Sequence, residues 1–70
     1  MPIVIAPINC NLRVVRISAD EKTKKHLESL GITVNGVIMV LSSSAGPIVC
    51  KIKVVRIALD HDLSTKIFVV

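Results

Sequence analysis

Seventy residues allow one domain, residues 1–70, and a chain this short buries only about 60% of the surface that it exposes when unfolded, so its core has little margin. Hydrophobic residues make up 51% of it, and the excess is almost all Ile, Val and Leu, which suit a pleated and half-buried surface. A net charge of +4 permits an anionic partner, whether nucleic acid, an acidic protein surface or phospholipid headgroups, and charge alone does not choose among them.

The longest apolar runs, Met1 to Ile8 and Val37 to Leu41, fall far short of the roughly 20 residues that a spanning helix needs. Met1 to Ile8 also lacks the basic start and small-residue cleavage site of a secretory signal, so no membrane insertion and no export are expected. Pro2 and Pro7 confine this run to a sheet edge or an extended lead-in, and Asn9 to Asn11 reads as a turn. Leu12 to Ser18 reads as a strand whose alternation slips. Leu12 and Val14 share one face and Val15 and Ile17 the other, which suggests a bulge.

Ala19 to Gly36 holds the one helical stretch. Asp20 is placed to accept the free N–H groups of a first turn, Glu21 suits the positive helix end, and Gly31 offers the left-handed exit, so the spacing predicts a helix over 21–30. Thr23, Leu27 and Leu30 share its apolar face with Ala19, while Lys22, Lys25, His26 and Ser29 share the other. About ten residues are too few for an isolated helix to persist, so it must dock on the strands.

Thr33 to Gly36 follows as a turn in which Asn35 and Gly36 tolerate positive φ. Val37 to Leu41 is a strand apolar on both faces, with Val37, Met39 and Leu41 on one side and Ile38 and Val40 on the other. Such a strand has either a second cover or an exposed patch. Ser42 to Gly46 reads as the most flexible loop. Pro47 opens a strand with Ile48, Cys50 and Ile52 inward and Val49, Lys51 and Lys53 outward. Residues 52–58 nearly repeat residues 12–18, phase slip included, and the length of the stretch from Ile48 to Leu59 calls for a corner near Val54. Asp60 reads as the cap of a single helical turn. Lys66 to Val70 is a last strand that pairs with the early part of the chain. The whole reads as mainly β, a small, strongly bent antiparallel barrel with one short α-helix inserted after the first strand.

Constellations that carry chemistry are sparse. Cys10 and Cys50 fit no zinc or redox spacing and read as two free, core-like thiols. Asp60, His61 and Asp62 are adjacent on one turn, where side chains diverge, so neither a metal site nor a catalytic set is expected there. No catalytic residue, cofactor or enzymatic activity is assigned. Lys22, Lys25 and His26, with Arg13, Arg16, Lys51, Lys53 and Arg56 on strands, are candidates for a nucleic-acid surface. Phe68 is the single aromatic residue, and small barrels that bind single strands need several rings for base stacking, so nucleic acid is the weaker reading.

Val14 to Ser18, the run Lys-Lys-His-Leu-Glu-Ser-Leu-Gly-Ile at 24–32, Asn35-Gly36, Arg56 to Asp60 and Lys66 to Val69 together resemble the ferrous iron transport protein A family, FeoA, in order and spacing. The resemblance covers nearly the whole chain, from about Pro7 to Val69. Two places depart from the family's habit. Ile8 stands where a glycine often follows the proline, and the corner near Val54 lacks the glycine that often marks it.

The resemblance implies an SH3-like barrel. It also implies a small cytoplasmic accessory of the bacterial ferrous iron transporter, a membrane protein with a cytosolic GTP-binding region that recruits it to the inner face of the membrane. The implied role is interaction with that transporter rather than catalysis. The expected docking surface is Lys22, Lys25 and His26 with Ile38 and Val40 of the strand that is apolar on both sides. Two alternatives are a basic barrel that binds nucleic acid and a stand-alone relative of the barrel that ends some metal-dependent repressors. Nothing in the sequence sets an oligomeric state.

Overall fold

The computed structural model describes residues 1–43 and 46–70. A 3-10 turn, Ile3–Ile5, is followed by β1 (Asn11–Ile17), α1 (Glu21–Ser29), β2 (Val37–Ser42), β3 (Ile48–Ile52), β4 (Val55–Leu59), α2 (His61–Ser64) and β5 (Ile67–Val69). The five strands form one antiparallel sheet in the order β4-β3-β2-β1-β5. The sheet bends around a core of Ile3, Leu12, Val14, Ile17, Leu27, Ile32, Ile38, Val40, Ile48, Cys50, Leu59, Ile67 and Val69, the small bent barrel expected from the residue pattern, in the SH3-like form that the resemblance implied.

The sheet bends where extra residues enter its ladders. β1 pairs with β5 through Val14↔Val69 and then Arg16↔Phe68, so Val15 is the additional residue of a bulge. The bulge returns Ile17 to the buried side with Leu12 and Val14 and leaves Val15 exposed. The phase slip in the sequence is therefore a bulge, but Val15 and Ile17 do not share a face. A second irregularity lies between Val40 and Ser42 of β2, where Leu41 is the additional residue.

The helix is bounded as its sequence dictates. The Thr23 amide donates to the Asp20 carboxylate at 2.8 Å. At the other end Gly31 adopts φ +94, its amide donates to the Glu28 carbonyl, and the Ile32 amide donates to the Leu27 carbonyl, both at 2.9 Å. These two bonds satisfy the last carbonyls in the manner of a Schellman ending, and both Leu27 and Ile32 are buried beside it. Asp60 repeats the N-terminal device for α2, accepting from the Leu63 amide at 2.8 Å.

Four further expectations change. Met1 to Ile8 is not simply extended: residues Ile3–Ile5 wind into a 3-10 turn that buries Ile3, while Pro2 bridges to Phe68 beside β5. Residues 52–58 are not a second bent strand like 12–18. Lys53, with φ 57, and Val54 form a two-residue hairpin turn between Ile52 and Val55, so what read as one long strand with a corner is two antiparallel strands. A positive φ at the first central position alone is the pattern of a type II′ turn, which matches the right-handed twist of its strands.

Cys10 is exposed and only Cys50 is a core thiol. Ile38 and Val40 are 1% and 0% exposed, because the alternation of β2 sends them inward against the core, and the open side of this strand is Val37, Met39 and Leu41. Of the flexible loop expected at Ser42 to Gly46, residues 44 and 45 lie outside the described residues; Ser42 itself ends β2 and Gly46 adopts φ +111.

Candidate interaction face on the outer sheet

The strand registers place outward-pointing residues in rows. Asn11 pairs with Met39, Met39 with Lys51, and Lys51 with Arg56, so one row crosses four strands. Arg13 and Val37 begin the next row. Between this face and the loop that leaves α1 lies a groove of about 520 Å³, lined by Asn11, Thr33, Val37, Met39, Lys51 and Lys53, with Gly31, Gly36 and Ile52 completing its wall. Its floor is apolar and its β3 side is cationic. Val37 is 59% exposed there, the kind of large apolar side chain a partner would cover.

The loop from Gly31 to Gly36 forms one wall, and local chemistry holds it in place. The Asn35 amide donates to the Val14 carbonyl at 2.7 Å, and the Val14 amide donates to the Gly36 carbonyl at 2.9 Å, which ties the turn to β1. Asn35 supplies the positive φ of 72. A Cβ at Gly36 would sit 3.0 Å from both the carbonyl oxygen and Oγ1 of Thr33, so a side chain there would press Thr33 aside by a few tenths of an ångström. A Cβ at Gly31 would lie 3.5 Å from Cγ2 of Ile52, which brings the end of α1 against the β3 to β4 hairpin.

Charge is segregated by element. Asp20, Glu21, Glu28, Asp60 and Asp62, the five carboxylate side chains, all lie on the two helices or their caps. Every charged side chain of the strands is cationic: Arg13, Arg16, Lys51 and Arg56, with Lys53 in the hairpin turn. The helix bears Lys22, Lys24 and Lys25 against Asp20, Glu21 and Glu28, so its cations are offset locally and the excess positive charge belongs to the sheet.

Lys22, Lys25 and His26 do share the solvent side of α1, and all three are exposed. Ile38 and Val40, expected beside them, are in the core and contribute no surface. The apolar part of the open face is instead Val37 and Met39, one residue out of phase with the expectation. The outward phase of Lys51 was readable, but its alignment with Met39 depends on the register of β2 against β3, which a single sequence does not encode; Lys53, expected outward on the same strand, lies instead in the hairpin turn.

The other groups are chemically quiet. Burial pushes the Cys50 thiol up to about 11, so it is an unreactive thiol at neutral pH. Phe68 has the Arg16 guanidinium 5.4 Å from its ring centroid, a cation–π contact on one face of the chain's single aromatic ring. Ser64, wholly buried, donates its hydroxyl to the His61 carbonyl at 2.9 Å. Among the described residues no three His, Cys, Asp or Glu side chains gather as metal ligands would.

A family model described as the FeoA domain matches residues 1–70. The chain belongs to the FeoA family. Membership connects it to ferrous iron uptake, and the fold agrees: a crystal structure of an iron uptake regulatory protein (FeoA) superposes with a TM-score of 0.90 at 28% identity, over 99% of this chain and 93% of that one.

Iron(II) transport protein A from Clostridium thermocellum gives a TM-score of 0.88 at 22% identity, a likeness of fold, over 99% of this chain and 44% of that one. A manganese-dependent transcriptional repressor gives 0.87 at 26% identity, over 100% of this chain and 40% of that one. No curated protein matches the chain. No helix among the described residues is long and apolar enough to cross a membrane.

Proposed function

We propose that this FeoA-family chain is a cytoplasmic accessory of ferrous iron uptake that works by binding, without catalysis, to the cytosolic GTP-binding region of the membrane transporter. One observation carries the reading beyond family membership: an apolar groove floored by Val37 and Met39 sits under the cations Lys51 and Lys53, on a face without a carboxylate side chain. Such a face suits a partner surface that pairs acidic groups with an apolar contact, with the charges steering encounter and the apolar floor holding the complex. The helix cations Lys22, Lys25 and His26 are at most a secondary contact, because the carboxylates of the same helix offset them.

Titration of the purified chain with the transporter's cytosolic region tests this. Saturable binding is expected, weakened at least tenfold by Lys51→Glu with Lys53→Glu and much less by Lys22→Glu with Lys25→Glu. Absence of association, or a complex indifferent to the sheet-face reversal, contradicts the proposal. The cationic sheet also motivates a second reading, an interaction with nucleic acid. That reading requires affinity for DNA or RNA with a steep salt dependence, and the presence of a single aromatic residue, in contact with Arg16, argues against it.

A further inference from the structure

The two ends of the sheet are treated differently. At one end β5 is only three residues long and is covered: Pro2 bridges to Phe68, and Met1 and Val69 exchange two hydrogen bonds of 2.8 Å. At the other end β4 is five residues long and pairs with β3 alone, in a regular register without a bulge. Proteins commonly blunt such an edge with proline, bulges, lysines or a covering segment. β4 has only Arg56.

We propose that the open edge of β4 accepts an extended polypeptide segment in which acidic and apolar residues alternate, adding a sixth strand to the sheet. Three features define this occupant. In a ladder closed by a two-residue turn, the flanking pair Ile52 and Val55 exchanges hydrogen bonds and the pairs alternate from there, so the N–H and C=O groups of Arg56 and Ala58 point to the open side. Those groups need a peptide backbone at strand spacing.

On the inner side, Val55 is 54% exposed and Ile57 is only half-buried, although their partners Ile52 and Cys50 are buried, so the added strand must bring apolar side chains to that side. On the outer side Arg56 lies directly opposite Lys51, a like-charge pair that is unfavourable until an anion stands beside it. Alternating acidic and apolar residues meet both demands at once, because successive side chains of a strand face opposite sides. A second copy of β4 would add more arginine to the cationic face, and nucleic acid offers neither the backbone pattern nor the apolar row.

The inference stands apart from the transporter reading, since its probe is a synthetic peptide. The full chain, isotopically labelled, is titrated with a capped peptide of about eight residues that alternates glutamate and valine. Expected are saturable shifts confined to β4 and the hairpin turn, slowed exchange of the Arg56 and Ala58 amides, and loss of binding when alternate peptide nitrogens are methylated. Arg56→Glu, on an exposed position that the core does not use, weakens this peptide about fivefold and favours one that alternates lysine and valine.

Several results overturn the proposal. These are a lack of saturation, equal binding of a block peptide of the same composition, survival of binding after methylation, or shifts centred elsewhere. Displacement of the peptide from β4 by a single-stranded oligonucleotide, or protection of the same amides by self-association without peptide, would assign the edge to another occupant.

Discussion

Ile38 and Val40 show how one residue of phase decides between core and surface. Both were expected at a partner surface, and both are buried, because side chains on a strand alternate and Val37, Met39 and Leu41 take the open side. Ile38→Ala therefore acts on stability: a loss of about 3 kcal/mol is expected in denaturant unfolding, whereas Val37→Ala leaves stability nearly unchanged and weakens partner binding. The two cysteines divide in the same way. In the native protein a thiol reagent at neutral pH is expected to label Cys10, which is exposed, and to spare Cys50, which is buried with a thiol pushed up to about 11. Denaturation should release the second thiol to the same reagent, and mass spectrometry reads both stages.

The helix was the element most open to sequence reasoning, because its start, stop and faces are set by residues next to one another in the chain. Asp20 caps it, Gly31 ends it and Leu27 anchors it, as the pattern from Ala19 to Gly36 requires. Hydrogen bonds from Thr23 hold the Asp20 carboxyl below its usual range. A carboxyl lowered in the folded state contributes stability above its unfolded value and loses it as pH falls through its folded value, so this contribution fades below about pH 4. Asp20→Asn retains a capping oxygen and removes the titration. Its thermal midpoint is expected to change little at neutral pH and to fall less steeply than that of the wild type on acidification.

The strands were legible where their pattern is local and opaque where it depends on a partner strand. The phase slip at Val14 and Val15 is visible in the sequence, but only the Val14 to Arg16 shift against β5 determines which residue leaves the ladder. The same slip at Val54 and Val55 has another cause, a two-residue turn in which Lys53 takes a positive φ without glycine, asparagine or aspartate to signal it. Identical local patterns thus became a bulge in one place and a hairpin in the other.

At the scale of the whole molecule, charge separation gives the domain a direction. Carboxylates gather on the helices and their caps while the sheet keeps only cations, so the face that carries the groove is also the source of the excess positive field. The sequence made the cations visible, but which of them share a face with Met39 and Val37 follows from the register of four strands. The same registers leave β4 open beside that face, which makes groove and edge neighbours with separate chemistries.

The most direct test of the partner role is a residue-level footprint. The labelled chain is mixed with the transporter's cytosolic region, and amide and methyl signals are followed through the titration. The account predicts perturbations centred on Val37, Met39, Lys51 and Lys53, with Ile38 and Val40 affected only through their neighbours. Perturbations centred on Lys22, Lys25 and His26 with the groove unchanged, or none at saturating partner, would contradict it.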